Sequence, residues 1–324
     1  MKIRRNALCP CGSSKRFKYC CGKLDNQAQK LTVSEAMEIA DHFRQNGQLA
    51  NAEAIYRQIL QIQPDWIQAY HQLGKTLFLQ NQVAEAINYH QQALQLQPNL
   101  VIAHQELGDI FRIQGQLEVA KTYFQRVLEL DPTDTGTRIK LATLRPVIMG
   151  LPQDILAFRR QFEAQLDTLL TSHLHLNYPE RETGVTNFYL AYHGLNDKIL
   201  QIKLAQLYEQ VCPSLLYVAP HCQGKSIPIE SRKIKIGFVS RFFKNHTIAK
   251  VMGGILANLS REQFEIYVFF LPQFMDESAV FIQQQADYFE MLPLVLATAR
   301  QQIADKQLDI LFYPDIGMES FTYF

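Results

Sequence analysis

Four cysteines crowd into a short stretch near the amino terminus of this 324-residue chain, at a spacing that can bind a metal ion. They form two close pairs separated by eight residues, namely Cys9, Cys11, Cys20 and Cys21. Thiolates are the ligands that Zn²⁺ prefers, and structural zinc sites are tetrahedral. A segment of about 20 residues has no core of its own, so bound metal would supply its folding energy. We predict a structural Zn²⁺ on these four thiols; the alternative is four unligated cysteines.

The residues around the cysteines resemble the SEC-C motif, a small zinc knuckle attached to many bacterial proteins. The resemblance covers residues 1–24 and runs through Asn6, Pro10, Gly12, Ser13, Lys15, Phe17 and Lys18 besides the four cysteines. Residues 1–23 contain Lys and Arg but no Asp or Glu, so their cations would offset the negative charge of a four-thiolate site.

A second group with chemical potential is the pair Asn245-His246, which follows the apolar run KIKIGFVS at 233–240. This run predicts a β-strand, and ligands bind beyond the carboxyl ends of strands in open parallel sheets. An imidazole titrates near neutrality, so His246 is able to hydrogen-bond a substrate hydroxyl or take its proton. The alternative is an exposed or helix-capping histidine.

The elements that position this pair alternate between strands and helices. Apolar strands that alternate with short helices imply a parallel sheet with helices on both faces, a Rossmann-like architecture. Asp315 stands at the end of the predicted fourth strand, where site residues collect, although a plain strand-end or turn role fits it equally. The strands are predicted at 233–240, 265–271, 289–295 and 309–316, and the helices at 248–259, 278–287 and 298–306.

Upstream, residues 31–132 repeat with a period of 34 residues. Prolines recur at 64, 98 and 132, and the same register holds Ala52, Ala86 and Ala120, and also Gly47, Asn81 and Gly115. Period and pattern resemble the tetratricopeptide repeat, a pair of antiparallel helices per unit that stacks into an α-solenoid. We predict three units and a capping helix within 31–145, since Pro146 breaks the pattern.

Such a stack presents a groove that receives a peptide or a protein surface, so we expect a protein partner there. The alternatives are a spacer and a dimerisation face. Trp66, Tyr70, His71 and His104 belong to the first helices of their units, which commonly line the groove, but each also fits a packing role.

Between the repeats and the sheet, residues 151–222 predict a helical region leading into the next domain. Amphipathic helices are predicted at 152–171 and 198–211, and the aromatic segment TNFYLAYHGLND lies between them. His193 and Gly194 belong to this segment.

Three segments in this order, FYLAYHGLND, KIKIGFVSRFFKNHTIAK and QLDILFYPDIGMESFTYF, resemble the catalytic region of the O-linked N-acetylglucosamine transferase and SPINDLY family. The resemblance covers roughly residues 31 to 324. It implies a two-lobed GT-B fold, of which residues 232–324 would be the amino-terminal lobe, and inverting transfer of a sugar from a UDP-sugar to Ser or Thr hydroxyls. It implies His246 as a catalytic residue and Asn245, His193 and Asp315 as substrate-binding residues. Tyr313, Pro314 and Asp315 depart from the family's Asn-rich stretch, which puts the specificity for sugar and acceptor in question.

Residues 233–324 provide room for only three strand-helix units and one strand, at about 30 residues per unit. We therefore expect that the donor-binding lobe is missing and that the chain alone transfers no sugar, because stabilising the departing diphosphate needs that lobe. An interrupted gene, a split enzyme completed by a separate carboxyl-terminal chain, and a retained binding module all fit. The alternative function is a tetratricopeptide-repeat adaptor with a zinc knuckle.

Composition excludes some classes of function. The formal net charge of +1 gives no global reason to expect nucleic acid as a partner. No stretch reaches the length of about 18 apolar residues that a membrane span needs, and the start lacks the apolar core of a signal peptide. Crowded cysteines suit a reducing compartment, so we expect a cytoplasmic protein.

Replacing one predicted ligand should release the metal. We expect native mass spectrometry to find one Zn²⁺ per chain, and we expect Cys20→Ser to lose it because a three-thiolate site binds zinc more weakly. Cys222→Ser is the matched control and should keep its zinc. Unchanged zinc in Cys20→Ser would show that the four-cysteine assignment is wrong.

Overall fold

The computed structural model describes residues 32–224, 232–271 and 275–324. The predicted zinc segment, with Cys9, Cys11, Cys20 and Cys21, lies outside the described residues. The chain divides into two compact units, Met1–Leu130 and Asp131–Phe324.

The described part of the first unit consists of three helical hairpins, as the 34-residue period predicts. In each hairpin a first helix packs against the second helix of the same repeat. The six helices are α1 (Val33–Gln45), α2 (Leu49–Ile62), α3 (Ile67–Leu79), α4 (Val83–Leu96), α5 (Val101–Ile113) and α6 (Leu117–Leu130).

The turn inside each hairpin explains one of the repeated positions. Gly47, Asn81 and Gly115 have φ angles of 73°, 64° and 75°, in the left-handed region that Gly and Asn tolerate. The amide of the residue after each one donates back to the helix it follows, as Gln48 does to the carbonyl of Phe43 at 2.9 Å. The amide of Gly47 also donates, to the carbonyl of Arg44 at 3.1 Å. The two bonds satisfy the last carbonyls of the first helix and turn the chain towards the second helix.

Two glycines, Gly74 and Gly108, lie where the two helices of a hairpin approach each other. A Cβ atom on Gly74 would come within 2.7 Å of the His90 ring, and one on Gly108 would come within 2.5 Å of the Phe124 ring. Glycine is therefore required at both positions. The recurring alanines of the second helices, Ala52, Ala86 and Ala120, are fully buried.

Two histidines, His71 and His90, are buried in the middle repeat. His90 is fully buried at the position that Tyr56 and Phe124 occupy in the first and third repeats, and its ring lies 5.6 Å from that of His71. Neither ring nitrogen of His90 has a hydrogen-bond partner. Burial lowers the pKa of His90 to about 3 and that of His71 to about 4, so both rings are neutral in the folded repeat.

The second unit begins with a helical part whose core is formed by α7 (Thr135–Ala142), α8 (Pro152–Leu170) and α10 (Lys198–Val211). Helix α7 lies in the segment predicted to cap the repeats. Its Ile139 is fully buried in a cluster with residues of α8 and α10, such as Phe162 and Leu204. A short helix α9 (Pro179–Glu182) and a 3₁₀ turn at Phe188–His193 connect α8 to α10.

The rest of the second unit is a four-stranded parallel sheet in the order β3-β2-β1-β4, which confirms the predicted fold class. A helix follows each strand. The strands are β1 (Ile234–Ser240), β2 (Phe264–Phe270), β3 (Tyr288–Met291) and β4 (Ile310–Phe312), and the helices are α11 (Thr247–Asn258), α12 (Glu277–Gln284), α13 (Leu296–Ala304) and α14 (Ser320–Tyr323).

Alternate side chains of strand β2 are buried on opposite faces of the sheet. Ile266, Val268 and Phe270 pack in one cluster with residues of α11 and α12. Tyr267 and Phe269 pack in another cluster with Ala299 of α13 and Phe321 of α14. Helices therefore cover both faces, as the apolar strands predict.

The third and fourth strands are shorter than the sequence predicts. Strand β3 ends at Met291, two residues before Pro293, and β4 ends at Phe312, two residues before Pro314. Proline has no N–H for the ladder and restricts the residue before it, so pairing stops there. Asp315 consequently lies in a turn beyond β4 and not in the strand itself, as its carbonyl accepts from the amide of Met318 at 2.9 Å.

Strand β4 is the last strand in the sheet order of the described residues, and its side chains are half-exposed. Ile310, Leu311 and Phe312 have exposed fractions of 42%, 38% and 42%. In β1 the paired Phe238 is 3% exposed. The sheet thus ends on an open apolar edge, the kind of edge that favours pairing with a further strand.

Protonation of the buried histidines should destabilise the repeats. The pKa of His90 is lowered on folding, so its contribution is complete above the unfolded value near 6.5 and is lost as pH falls towards 3. At pH 4.5 this loss is about 2 to 3 kcal/mol. We expect His90→Phe to be at least as stable as the natural chain at pH 7, because Phe124 packs on Gly108 in the equivalent place, and to lose less stability at pH 4.5.

The measurement is urea unfolding of the repeats at both pH values, followed by the fluorescence of Trp66, the one tryptophan in the sequence. His42→Gln, at an exposed histidine of α1, is the control and should respond to pH like the natural chain. Equal losses at pH 4.5 in His90→Phe and the natural chain would contradict this account.

Candidate functional site

The sheet topology defines where a ligand can bind in the second unit. Strands β2 and β3 lie on one side of β1 and β4 lies on the other, so the strand order reverses between β1 and β4. In open α/β sheets, ligands bind outside the carboxyl ends of the strands at such a reversal. The carboxyl ends of β1 and β4, at Ser240 and Phe312, therefore mark the candidate site.

A buried carboxylate joins these two strand ends. Asp315 is 1% exposed, and its Oδ2 accepts hydrogen bonds from Ser240 Oγ at 3.0 Å and from the amide of Arg241 at 3.3 Å. Its Oδ1 is buried without a hydrogen-bond partner. Burial raises the pKa of Asp315 to about 6, although the two hydrogen bonds oppose this rise.

A second carboxylate supports the same turn. Glu319 caps the amino terminus of α14 by accepting from the amides of Phe321 and Thr322. Its Oε2 also lies 3.5 Å from Nη1 of Arg241. Arg241 is thus held through its backbone by Asp315 and through its guanidinium by Glu319.

The Asn245-His246 loop is fixed from the other side by the start of α12. The amide of Asn245 donates to Oδ2 of Asp276 at 2.6 Å, and the Oδ1 atom of Asp276 accepts from the amide of Ala279 at 2.9 Å. Backbone N–H groups, that of Ala279 first, lower the pKa of Asp276, so it is charged at neutral pH. The Asn245 side chain itself is exposed beside His246.

His246 caps the helix that follows it. Its Nδ1 accepts a hydrogen bond from the amide of Ile248 at 3.2 Å, at the amino terminus of α11. Its ring contacts the Phe242 ring in a tilted arrangement, with centroids 4.6 Å apart. When Nδ1 accepts, the neutral ring carries its proton on Nε2. In this arrangement His246 offers an N–H donor to a ligand and has no free nitrogen to take a proton.

His193 lies in a different environment, in the helical part of the second unit. Its ring meets Phe158 of α8 edge-on at 5.9 Å, and both ring nitrogens are buried without hydrogen-bond partners. Burial, and then the cations Arg159 and Arg145, lower its pKa. These contacts describe a packed, neutral histidine, whereas Asn245, His246 and Asp315 gather around the strand ends.

An exposed aromatic cluster lies next to the turn that holds Asp315. The rings of Phe188, Tyr189 and Tyr192 lie 5.8 to 6.0 Å apart, and Tyr189 and Tyr192 are 40% and 69% exposed. Phe188 packs beside Gly317, where a Cβ atom would come within 3.7 Å of its ring. The aromatic segment of the sequence therefore borders the candidate site.

The four ring-bearing residues considered for the repeat groove, Trp66, Tyr70, His71 and His104, have packing partners within the repeats. Tyr70 donates its hydroxyl to the carbonyl of Pro64 at 2.9 Å, and His104 at the equivalent position lies 2.9 Å from the carbonyl of Pro98. His71 is buried against His90, and Trp66 belongs to the core of the repeats. The packing interpretation is therefore the one that these contacts support.

Sequence reasoning missed the residues that hold the loop, namely Ser240, Arg241, Asp276 and Glu319. For Asp276 a signal was present, because an Asp directly before a helical run is a preferred capping residue. Ser240 and Arg241 carry no local signal of this kind. Their role depends on the approach of β4, which pairs with β1 from 70 residues or more along the chain.

No resident metal site is apparent in residues 32–224, 232–271 and 275–324, where no three His, Cys, Asp or Glu side chains gather suitably. Among these residues the free cysteines are Cys212, which is buried, and Cys222, which is exposed. Every helix in the described ranges falls short of the length and apolar character needed to cross a bilayer.

Comparison with known proteins agrees with the fold. Models of the tetratricopeptide repeat match residues 32–99 and 101–134, and the model of the SEC-C motif matches residues 5–23. The first unit therefore carries tetratricopeptide repeats. A curated relative, ovarian tumor domain-containing deubiquitinating enzyme 7 of Arabidopsis thaliana, is 53% identical over 38 residues, which are 11% of this chain and 10% of that protein.

Among solved structures, the K341M mutant of the Thermobaculum terrenum O-GlcNAc transferase is similar to 90% of this chain, with a TM-score of 0.58 and 18% identity. This chain spans about half of that structure, 47% of its length. The likeness shows a shared fold, helical repeats followed by an α/β sheet. The first repeat domain of Spaghetti (RPAP3), bound to an HSP90 peptide, is similar to 36% of this chain and 92% of its own, with 21% identity and a TM-score of 0.34.

The capping role of His246 can be tested by hydrogen exchange. Removing a side-chain cap costs about 1 kcal/mol, so His246→Ala should speed exchange of the first-turn amides of α11 about fivefold. His246→Asn should exchange like the natural chain, because the Asn oxygen also caps helices. Mass spectrometry of peptides covering residues 247–250 gives the rates.

Asn245→Ala serves as the neighbouring control, since the loop is held there through the backbone amide of residue 245 and not through its side chain. Exchange in His246→Ala that matches the natural chain would show that the ring does not cap α11.

Proposed function

We propose that this chain carries the acceptor-side part of a protein O-glycosyltransferase of the O-linked N-acetylglucosamine transferase type. The observation that carries the proposal is the His246 ring, which presents an N–H donor next to exposed Asn245 at the strand reversal of a parallel sheet. The fold likeness to an O-GlcNAc transferase and the order of repeats before sheet support it.

The proposed reaction is transfer of a sugar from a UDP-sugar to a Ser or Thr hydroxyl. The hydroxyl oxygen attacks the anomeric carbon, the bond to the diphosphate breaks, and the configuration inverts. The hydroxyl proton passes to the departing diphosphate or to water. In our proposal the Nε2–H of His246 donates a hydrogen bond to the acceptor oxygen and so fixes its direction of attack. While Nδ1 caps α11, His246 does not take the hydroxyl proton, so its role is orientation and not general base catalysis.

Two of the three predicted substrate-binding residues, Asn245 and His193, have different places in this proposal. Asn245 is exposed beside His246 and is suited to contact the acceptor directly. His193 contacts Phe158, and in our proposal it supports the aromatic cluster from the helical side. The exposed rings of Tyr189 and Tyr192 offer apolar faces to an acceptor polypeptide, because tyrosine supplies contact area at small entropic cost.

Binding of the UDP-sugar requires a second lobe. In the described residues, the second unit provides one sheet with four strands and no Gly-rich loop between a strand and a helix that would cradle a diphosphate. We therefore propose that a further α/β lobe, on additional polypeptide, binds the UDP-sugar and stabilises the leaving diphosphate. The open edge of β4 is consistent with continuation of the sheet.

The repeats suit the selection of protein substrates, since stacked helical hairpins form extended binding surfaces. We propose a protein or peptide partner for them, within the cytoplasm. The SEC-C match at residues 5–23 supports a structural Zn²⁺ on Cys9, Cys11, Cys20 and Cys21. The second candidate function is an adaptor that binds proteins through the repeats without sugar transfer, and the repeat matches over residues 32–134 favour it.

Sugar transfer by two forms of the protein tests the proposal. One is the 324-residue chain, and the other is the chain completed by an α/β donor lobe, from the downstream reading frame or a co-expressed subunit. Each is incubated with UDP-N-acetylglucosamine, UDP-glucose or GDP-fucose and with a Ser/Thr peptide library, and tandem mass spectrometry locates added sugars. We expect transfer by the completed form, none by the chain alone, and a rate about 10²-fold lower in completed His246→Ala.

His42→Ala, at an exposed histidine of the repeats, is the control for removal of an imidazole and should keep its activity with short peptides. Transfer by the chain alone would show that the donor lobe is dispensable. If the completed form transfers none of these sugars but still binds protein through its repeats, the adaptor function replaces the enzyme.

A further inference from the structure

The side chain of Asp315 is 1% exposed, its Oδ2 accepts from two donors within the protein, and its Oδ1 is buried without a partner. Sequence reasoning gave it a substrate-binding role. Its position at the strand reversal requires a physical explanation, because burying a carboxylate costs free energy that its hydrogen bonds must offset.

The hydrogen bonds of Asp315 continue towards His246. Ser240 Oγ donates to Asp315 Oδ2 at 3.0 Å and accepts from the amide of Phe242 at 2.9 Å. Ser240 is the last residue of β1 and is fully buried, so this hydroxyl has a fixed place. The ring of Phe242 then lies against the ring of His246, with centroids 4.6 Å apart and the ring planes tilted by 35°.

The opposite end of the loop has its own support. Asp276 holds the amide of Asn245, and the Nδ1 atom of His246 accepts from the amide of Ile248. The first contact fixes the backbone before His246, and the second fixes the Nδ1 atom of its ring. The Phe242 ring then limits how far the His246 ring can tilt about that bond. The tilt of the His246 ring decides where its Nε2–H points. The contacts that run from Asp315 to Phe242 therefore affect the direction of this N–H donor.

We propose that Asp315 is a positioning residue, which sets the orientation of the His246 ring through Ser240 and Phe242. Its importance for sugar transfer rests on the proposed function, whereas the geometric coupling does not. Asp315→Asn should preserve the coupling, because its amide oxygen can accept from the same two donors. Asp315→Ala and Ser240→Ala should both break it.

The coupling has a spectroscopic signature that needs no substrate. A proton above the face of an aromatic ring resonates upfield, so stacking on Phe242 should shift the Hε1 resonance of His246. Carbon–proton correlation spectra of the full 324-residue chain with ¹³C-labelled histidine give this shift, and His246→Gln assigns the signal. Phe242→Leu removes the aromatic ring and defines the resonance position of an unstacked His246.

We expect Ser240→Ala and Asp315→Ala to move the His246 signal from the natural position towards that of Phe242→Leu, and Asp315→Asn to leave it in place. Tyr313→Phe, which removes a hydroxyl two residues before Asp315 without touching these bonds, is the control and should also leave it in place. Ser240→Ala removes one oxygen atom and keeps the test informative should Asp315→Ala not fold.

A His246 signal that stays at the natural position in folded Ser240→Ala, while Phe242→Leu moves it, would overturn the proposal. So would a signal in Asp315→Asn that matches that of Phe242→Leu. The spectra are recorded without substrate, so a completed enzyme that transfers no sugar would not contradict the coupling between Asp315 and His246. Likewise, absence of this coupling would not contradict the proposed sugar transfer.

Discussion

Burial of the central strand β2 between two layers of helices is the constraint on which the candidate site depends. Val268 and Phe269 are both essentially inaccessible, although they point to opposite faces. A slip of one residue would place each side chain of β2 against the opposite helix layer, where its shape does not match the close packing. Because β1 pairs with β2 over its full length, the end of β1 at Ser240 is fixed as well. The loop that carries His246 starts from that fixed point.

Three carboxylates hold the loop of the candidate site through contacts within the protein. Asp315 and Asp276 bind backbone amides at the two ends of the loop, and Glu319 holds the guanidinium of Arg241. This arrangement resembles a preorganised site, in which supporting hydrogen bonds place the few groups that face the ligand. It also explains why His246 has a defined tautomer, since its Nδ1 is committed to the cap of α11. A donor of fixed direction suits orientation of an acceptor better than proton abstraction.

The repeats and the class of fold could be predicted from the sequence, but the network around the site could not. Spacing alone identified Gly47 and Asn81 as equivalent positions of the repeat, and the structure gives the reason, because only a residue tolerant of positive φ fits that turn. The lengths of β3 and β4 were overestimated, since apolar character continues past the prolines that end pairing. His246 was predicted as a catalytic residue and His193 as a substrate-binding residue. Only their contacts separate a histidine packed on Phe158 from one that caps a helix beside a strand end.

The sequence by itself determined what is periodic or local, namely the 34-residue repeat, the alternation of strands and helices and the crowding of four cysteines. These features follow from burial periodicities and covalent spacing, which act over a few turns of chain. The tertiary structure decided which polar groups meet, because the pairing of β4 with β1 brings Asp315 to Ser240 across 75 residues. Such contacts depend on topology and on the exclusion of water from a packed core, and neither is written in neighbouring residues.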